Sequence, residues 1–120
     1  MGSLEVHMGL DRDDQQTRSN LFGGTGAVQI WNCLPSASCH PFTAALWCEL
    51  EPGGHVGRHR QTTYPEVILC VGGTGRAIIS DQTHPMVRGT LVHLPLGANL
   101  SLHNDSAETP LEYVIIKAAQ

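Results

Sequence analysis

One stretch, residues 51–73, decides both the fold and the candidate site: EPGGHVGRHRQTTYPEVILCVGG. It holds two strand-like pieces joined by the short connection TTYP and bracketed by two glycine pairs. Residues two apart in a strand point to the same face, so His59 and Gln61 present their side chains together. Glu66 opens the second piece, and a hairpin would bring it beside them. Imidazole nitrogen, amide oxygen and carboxylate oxygen on one face are donors that a divalent metal ion can use.

The chain on both sides of this stretch also breaks into short strand-like pieces. Turn signals rich in Gly, Pro, Asn and Asp separate them, and no segment shows a helical period over roughly ten residues. The pieces are AVQIWNC, FTAALWCEL, HVGRHRQ, EVILCVGG, GRAIISD, GTLVHLP, NLSLHN and LEYVIIKA. In the last of them Leu111, Tyr113 and Ile115 share one face. About eight short strands with this punctuation predict a single all-β domain, a closed or nearly closed antiparallel barrel or sandwich.

The composition limits the partners that the chain can have. Seven basic residues against eleven acidic ones give a formal charge of -4, without a basic cluster that could follow a phosphate backbone, so we expect no nucleic acid. No apolar run approaches the roughly 18 residues of a membrane span, and the N-terminus lacks the apolar core of a secretory signal. The sequence therefore predicts a cytoplasmic protein without a membrane partner. We expect the four cysteines to be reduced, because Cys48 and Cys70 lie in apolar strands.

The domain boundaries follow from the polarity of the N-terminal residues. Residues 1–22 are polar and contain DRDD, which predicts a flexible arm, and MGSLEVHM (residues 1–8) is typical of an expression-vector remnant. Residues 23–120 are predicted to form the β-barrel domain.

The spacing of residues in two segments resembles the cupin superfamily. Its first motif is G-x5-H-x-H-x(3,4)-E-x6-G and its second is G-x5-P-x-G-x2-H-x3-N. The residues at the motif positions are Gly53, His59, Gln61, Glu66 and Gly73, then Gly89, Pro95, Gly97, Leu100 and Asn104. The resemblance covers about residues 40–118 and implies a cupin-type jelly-roll β-barrel, also called a double-stranded β-helix.

The sequence departs from the family pattern at two positions that matter for a metal. The motifs usually supply three histidines and a glutamate to one ion, but here the second histidine is Gln61 and the third is Leu100. The resemblance thus implies a weak site of His59, Gln61 and Glu66 for Fe, Mn, Ni or Zn. Leu100 would form an apolar wall, and Tyr64 and His55 are further candidates for the substrate pocket.

Three other histidines are candidates to replace the missing ligand. His55 has the same strand parity as His59 and is the most reachable. His103 is three residues from Leu100 and His93 alternates with core positions, so both are expected to face away from the barrel interior.

Two functions remain open from the sequence. The first is a metal-dependent enzyme of oxygenase, isomerase or cyclase type acting on a small apolar or aromatic molecule, because the inner strands are mostly apolar. The alternative is a metal-poor cupin that binds a small molecule, or serves as an accessory protein, without catalysis. The loss of two of the four usual ligands favours the alternative. A homodimer is expected in either case, since small cupins commonly pair and edge strands need cover.

Overall fold

The computed structural model describes residues 15–34 and 39–120, and its regular structure is almost all β-strand. Within these residues ten strands follow one another, and a 3-10 turn, Leu21–Gly23, lies between the first two. The strands are β1 (Gln15–Ser19), β2 (Ala27–Asn32), β3 (Phe42–Leu50), β4 (His55–Arg60), β5 (Glu66–Gly72), β6 (Thr74–Ile79), β7 (Gln82–Val87), β8 (Leu91–Leu94), β9 (Asn99–Asn104) and β10 (Leu111–Ala118).

These strands form two antiparallel sheets that face each other. The six-stranded sheet has the order β1-β2-β3-β10-β5-β8, and the four-stranded sheet has the order β4-β9-β6-β7. The inward-facing residues alternate with outward-facing ones and build one core between the sheets. The predicted jelly-roll cupin fold is confirmed, with the qualification that no strand pairing joins the two sheets in the described residues.

Two strands, β1 and β7, are missing from the set that the sequence predicts, and both lie at sheet edges. Residues 15–19 pair with β2, so residues 15–22 of the predicted arm belong to the sheet and the adjoining turn; residues 1–14 lie outside the described part. β7 contains Pro85, which an edge strand tolerates because one side of it needs no hydrogen-bonding partner. An edge strand buries few side chains, and its sequence therefore carries little apolar alternation.

The N-terminal turn is fastened tightly to β4. A side-chain carbon added at Gly57 would lie 2.0 Å from the Phe22 carbonyl oxygen, and one added at Gly24 would lie 1.9 Å from the His55 carbonyl oxygen. Only glycine permits this approach of two backbones. The crossing places Phe22, whose φ is 53°, over the open end of the space between the sheets.

Three further predictions concern the cysteines, a homodimer and membrane-spanning segments. Cys48 and Cys70 are buried free thiols, as predicted for reduced structural cysteines. Leu69 and Leu91 are exposed on the outer face of the six-stranded sheet, where a second copy of the chain is the expected partner; the homodimer stays a prediction. Within residues 15–34 and 39–120, no helix is long and apolar enough to cross a membrane.

Candidate functional site

A pocket of about 210 Å³ opens between the two sheets, beside the N-terminal turn. Its walls are mainly apolar and come from both sheets, with Val28, Ile30, Leu46, Val56, Leu102 and Ile115 among them. Its polar groups are contributed by His59, Gln61, Glu66 and Lys117, with Arg60 also on the lining. A mostly apolar pocket with a few convergent polar groups is the usual form of a small-molecule site.

Glu66 is the centre of the polar groups, and Gln61 is bonded to it. The Gln61 Nε2 donates to Glu66 Oε2 across 2.6 Å, and both residues are buried. The Gln61 Oε1 accepts from the backbone N–H groups of Thr63 and Tyr64, at 3.3 and 3.4 Å. These partners fix the direction of the amide, because backbone N–H groups only donate and a carboxylate only accepts. The amide oxygen therefore faces the connection after β4, and the amide nitrogen faces Glu66.

Lys117 places an ammonium group beside the same carboxylate. It lies directly opposite Glu66 in the register of β10 and β5, and its Nζ is 3.7 Å from Glu66 Oε2. The Lys117 side chain is 32% exposed and that of Glu66 only 3%, so the carboxylate lies deeper than the ammonium. We call Gln61, Glu66 and Lys117 the polar centre of the pocket.

His59 stands next to the polar centre and under Phe22. Its Nδ1 is 2.9 Å from the Gly57 carbonyl oxygen, which can only accept a hydrogen bond. Nδ1 therefore carries the hydrogen, and in the neutral ring Nε2 is an acceptor. The ring stacks on Phe22 with the centroids 3.8 Å apart and the planes 12° from parallel. Because Phe22 is itself 59% exposed, it forms the outer layer of the pocket at this point.

Burial dominates the electrostatics of the pocket. It raises the pKa of Glu66, and the neighbouring Lys117 charge and the Gln61 hydrogen bond oppose this rise without cancelling it. Burial also raises the pKa of the Cys48 thiol to about 12 and lifts the pKa of the Tyr113 hydroxyl well above its usual range. Cys48 and Tyr113 are therefore neutral packing groups at physiological pH.

The structure brings together four of the six residues that the sequence predicts for the site. His59, Gln61, Glu66 and Leu100 line the pocket, and Leu100 lies directly opposite His59 in the β4–β9 register. Tyr64 and His55 are not among the lining residues.

The three histidines that could replace the missing ligand, His55, His93 and His103, are not among the residues that line the pocket. His55 instead stacks on His103, with the ring centroids 4.1 Å apart. His103 lies between the buried residues Leu102 and Asn104, so alternation turns it to the outer face. The parity expected for His55 was wrong, because the register of β4 against β9 shifts between Val56 and His59 and leaves His55 opposite His103. His93 is exposed on β8, as its parity predicts.

As arranged, the predicted ligands do not fit a divalent metal ion. Gln61 turns its nitrogen instead of its oxygen to the centre, and the Lys117 ammonium already lies beside the carboxylate. Within residues 15–34 and 39–120, no group of three His, Cys, Asp or Glu side chains is placed to hold a metal. A nitrogen donor on His59 and a carboxylate shared with two hydrogen-bonding or cationic neighbours are fewer ligands than such ions take.

Sequence reasoning missed Lys117 and Phe22. A signal for Lys117 existed, because it continues the face of β10 that Leu111, Tyr113 and Ile115 define. Phe22 gave no signal, since its position over the pocket depends on the Gly24–Gly57 crossing of two segments distant in the sequence.

The family assignment follows from comparison with known proteins. A family model for the cupin domain matches residues 46–117, and the chain belongs to the cupin family. This confirms the resemblance seen in the two motifs. No curated protein matches the chain.

Solved structures show the same fold at low sequence identity. A predicted oxalate decarboxylase from Thermotoga maritima has a TM-score of 0.83 and 22% identity, over 94% of this chain and 100% of that one. A cupin 2 conserved barrel domain protein from Salinispora arenicola has a TM-score of 0.72 and 22% identity, over 96% and 89%. A polyketide cyclase from Streptomyces resistomycificus has a TM-score of 0.71 and 12% identity, over 96% and 81%.

Proposed function

We propose that this cupin binds a small, mainly apolar or aromatic molecule between its sheets and acts on it by proton transfer at Glu66. The observation that carries the proposal is the composition of the pocket: apolar walls from both sheets that converge on one buried carboxyl group. The proposal retains the substrate class expected from the sequence and moves the chemistry from a metal to the polar centre.

The size of the pocket supports a ligand of about one aromatic ring with substituents. Its volume is about 210 Å³, and an apolar cavity of about 150 Å³ is enough to hold benzene. The inward positions of β2, β3 and β10 supply aliphatic side chains on the walls, which favour a ring over a polyhydroxylated molecule.

The environment of Glu66 supports proton transfer. Burial raises its pKa above the ordinary value of a glutamate, which is the direction that favours a carboxyl group as a general acid–base catalyst. Gln61 holds one carboxyl oxygen in place through the 2.6 Å hydrogen bond. Isomerisation and cyclisation, two of the reaction types that the sequence leaves open, need proton transfers of this kind. The polyketide cyclase among the structural neighbours agrees with this class, at the level of fold.

The metal-dependent function is the second candidate, and the orientation of His59 is the observation in its favour. A histidine whose Nδ1 donates to a backbone carbonyl turns an acceptor Nε2 to its other side, as metal-binding histidines do. Binding through Gln61 would require its amide to rotate and Lys117 to withdraw. Elemental analysis of the purified protein and of a His59→Ala, Glu66→Ala variant separates the two candidates: near-stoichiometric metal that the variant loses would support the second.

The binding proposal is tested by filling the pocket from β10. Ile115 lines the pocket, whereas its neighbour Val114 points to the outer face of the same sheet. We expect Ile115→Trp to abolish binding of a panel of small aromatic compounds, measured by changes in ¹H–¹⁵N spectra. Val114→Trp is the matched control and should leave binding intact. Equal binding by both variants would contradict a ligand between the sheets.

The catalytic part of the proposal needs a separate measurement. Once a compound from the panel is found to be converted, Glu66→Gln should bind it at least as tightly and lose turnover, because glutamine keeps the shape but cannot exchange a proton. Turnover that survives in Glu66→Gln would remove Glu66 from the chemistry.

A further inference from the structure

We infer that the Lys117 ammonium is the binding group for a negatively charged oxygen of the ligand, so that the pocket selects small apolar or aromatic carboxylic acids. The inference rests on the proposed binding of an apolar molecule between the sheets and adds the charge of that molecule. It assigns to Lys117 a role that no motif residue holds.

Lys117 is a charged residue on an otherwise apolar inward face of β10. It lies on the inward face of β10 after Leu111, Tyr113 and Ile115, and it lines the pocket. A lysine on this face has a cost, because an ammonium group loses water when it is placed among apolar side chains. The position faces the polar centre, where a charge can be compensated by Glu66 or by a ligand.

Glu66 compensates the charge of Lys117 only incompletely. Their closest separation of 3.7 Å exceeds the hydrogen-bond range of roughly 2.7–3.2 Å. The ammonium therefore retains N–H donors for another acceptor. Lys117 is also the more exposed partner of the pair, at 32% against 3%, so its side chain keeps accessible surface that the carboxylate lacks.

Arg60, the other cation on the pocket lining, has a different environment from Lys117. The Arg60 Nε donates to the Gly97 carbonyl oxygen across 3.0 Å, and Arg60 is exposed. Its guanidinium is thus turned to the connection before β9 and to solvent, where screening weakens an ion pair. Lys117 stands beside the buried end of the pocket, where the same charge attracts an anion more strongly.

The position of Lys117, its incomplete pairing with Glu66 and the apolar walls together define the class of ligand. The apolar walls fit a ring or a short alkyl chain, and the single ammonium fits one carboxylate attached to it. Glu66 competes for the same ammonium, so removal of the Glu66 charge should strengthen the binding of an acid and leave a neutral molecule unaffected.

The test compares benzoate with benzyl alcohol, which carries the same ring without the charge, in ¹H–¹⁵N titrations of the whole chain. We expect the native protein to bind benzoate at least about tenfold more tightly, which is about 1.4 kcal/mol. Lys117→Met should remove that preference and Arg60→Gln should keep it. Glu66→Gln should tighten benzoate alone.

A double variant, Glu66→Gln with Lys117→Met, guards against misfolding, because it leaves neither charge without its partner. It should bind both probes equally. A benzoate preference that persists in Lys117→Met or in the double variant overturns the inference. Equal binding of both probes by the native protein overturns it as well and leaves the proposed function standing. If neither probe binds the native protein, the proposed function itself fails.

Discussion

Asn104 offers a sharp test of how the two sheets are held together at one end of β9. Its buried Nδ2 lies 3.1 Å from the Leu50 and Glu51 carbonyl oxygens and 2.9 Å from that of Thr109, and its Oδ1 accepts from Ser106 N–H. One amide thus joins the turn after β3 to the turn before β10. Replacement by alanine removes these bonds and takes the Asn104 donor from the buried Leu50 carbonyl.

The size of the effect follows from the number of amide protons. The Glu51 carbonyl also accepts from Gly54 N–H, so we count two donated hydrogen bonds instead of three contacts. At about 1–3 kcal/mol for the buried Leu50 carbonyl and about 0.5–1.5 kcal/mol for the part-buried bond to Thr109, Asn104→Ala should lower the free energy of unfolding by about 1.5–4.5 kcal/mol. A domain of this size is stable by about 5–15 kcal/mol, and the melting temperature should fall by roughly 5–20 °C.

Asn104→Asp separates the hydrogen bonds from the volume of the side chain. It is isosteric, but it turns a carboxylate oxygen to three carbonyl oxygens. At pH 8 the free energy of unfolding should therefore fall by at least as much as in Asn104→Ala. At pH 4 a protonated carboxyl recovers one donor, and the loss should shrink. Thermal unfolding by circular dichroism measures both, with Asn99→Ala at the other end of β9 as control. A loss below about 1 kcal/mol for Asn104→Ala, or no pH dependence for Asn104→Asp, would refute the reasoning.

Three further predictions concern the pocket. Gly57→Ala should lower the free energy of unfolding by about 1–3 kcal/mol in a denaturant titration, because its new carbon would clash with the Phe22 carbonyl; an unchanged midpoint would contradict the crossing. Phe22→Gly should be more stable than Phe22→Ala by thermal unfolding, since both lose the ring on His59 but only glycine relieves the positive φ. Glu66 has a folded pKa above its ordinary value of 4.5, so its stabilising contribution is present below pH 4.5 and lost as pH rises through the folded pKa. Relative to Glu66→Gln, the native protein should therefore lose stability as pH rises from 4 to 7, and a constant difference between the two would contradict a raised pKa.

The fold was predictable because turn residues and alternation carry it. Glycines and prolines separate the inner strands, and the motif spacing around His59 and Glu66 brings both residues to one pocket from strands of the two facing sheets. The two edge strands were not predictable in this way. Their contacts are made mainly by backbone hydrogen bonds on one side, which leave no apolar period in the sequence.

The site was predictable in its position more than in its chemistry. Parity along β4 correctly grouped His59 with Gln61. The expected hairpin between β4 and β5 was wrong, because the two strands lie in different sheets, and Glu66 reaches the same pocket from the facing sheet. The direction of the Gln61 amide was beyond the sequence, because it is set by backbone N–H groups in the connection after β4. Lys117 required the register of β10 against β5, which links residues about fifty positions apart in the chain.

The place of β10 in the six-stranded sheet has a consequence for the order in which the protein forms during synthesis. β10 follows the other described strands in the sequence, yet it lies between β3 and β5 and joins two parts of the sheet that otherwise share no pairing. A growing chain can assemble β1-β2-β3 and β5-β8 separately, but the pocket cannot close until β10 inserts between them. Until then the Glu66 carboxylate has no cation opposite it, and that pair forms only after the residues of β10 have left the ribosome.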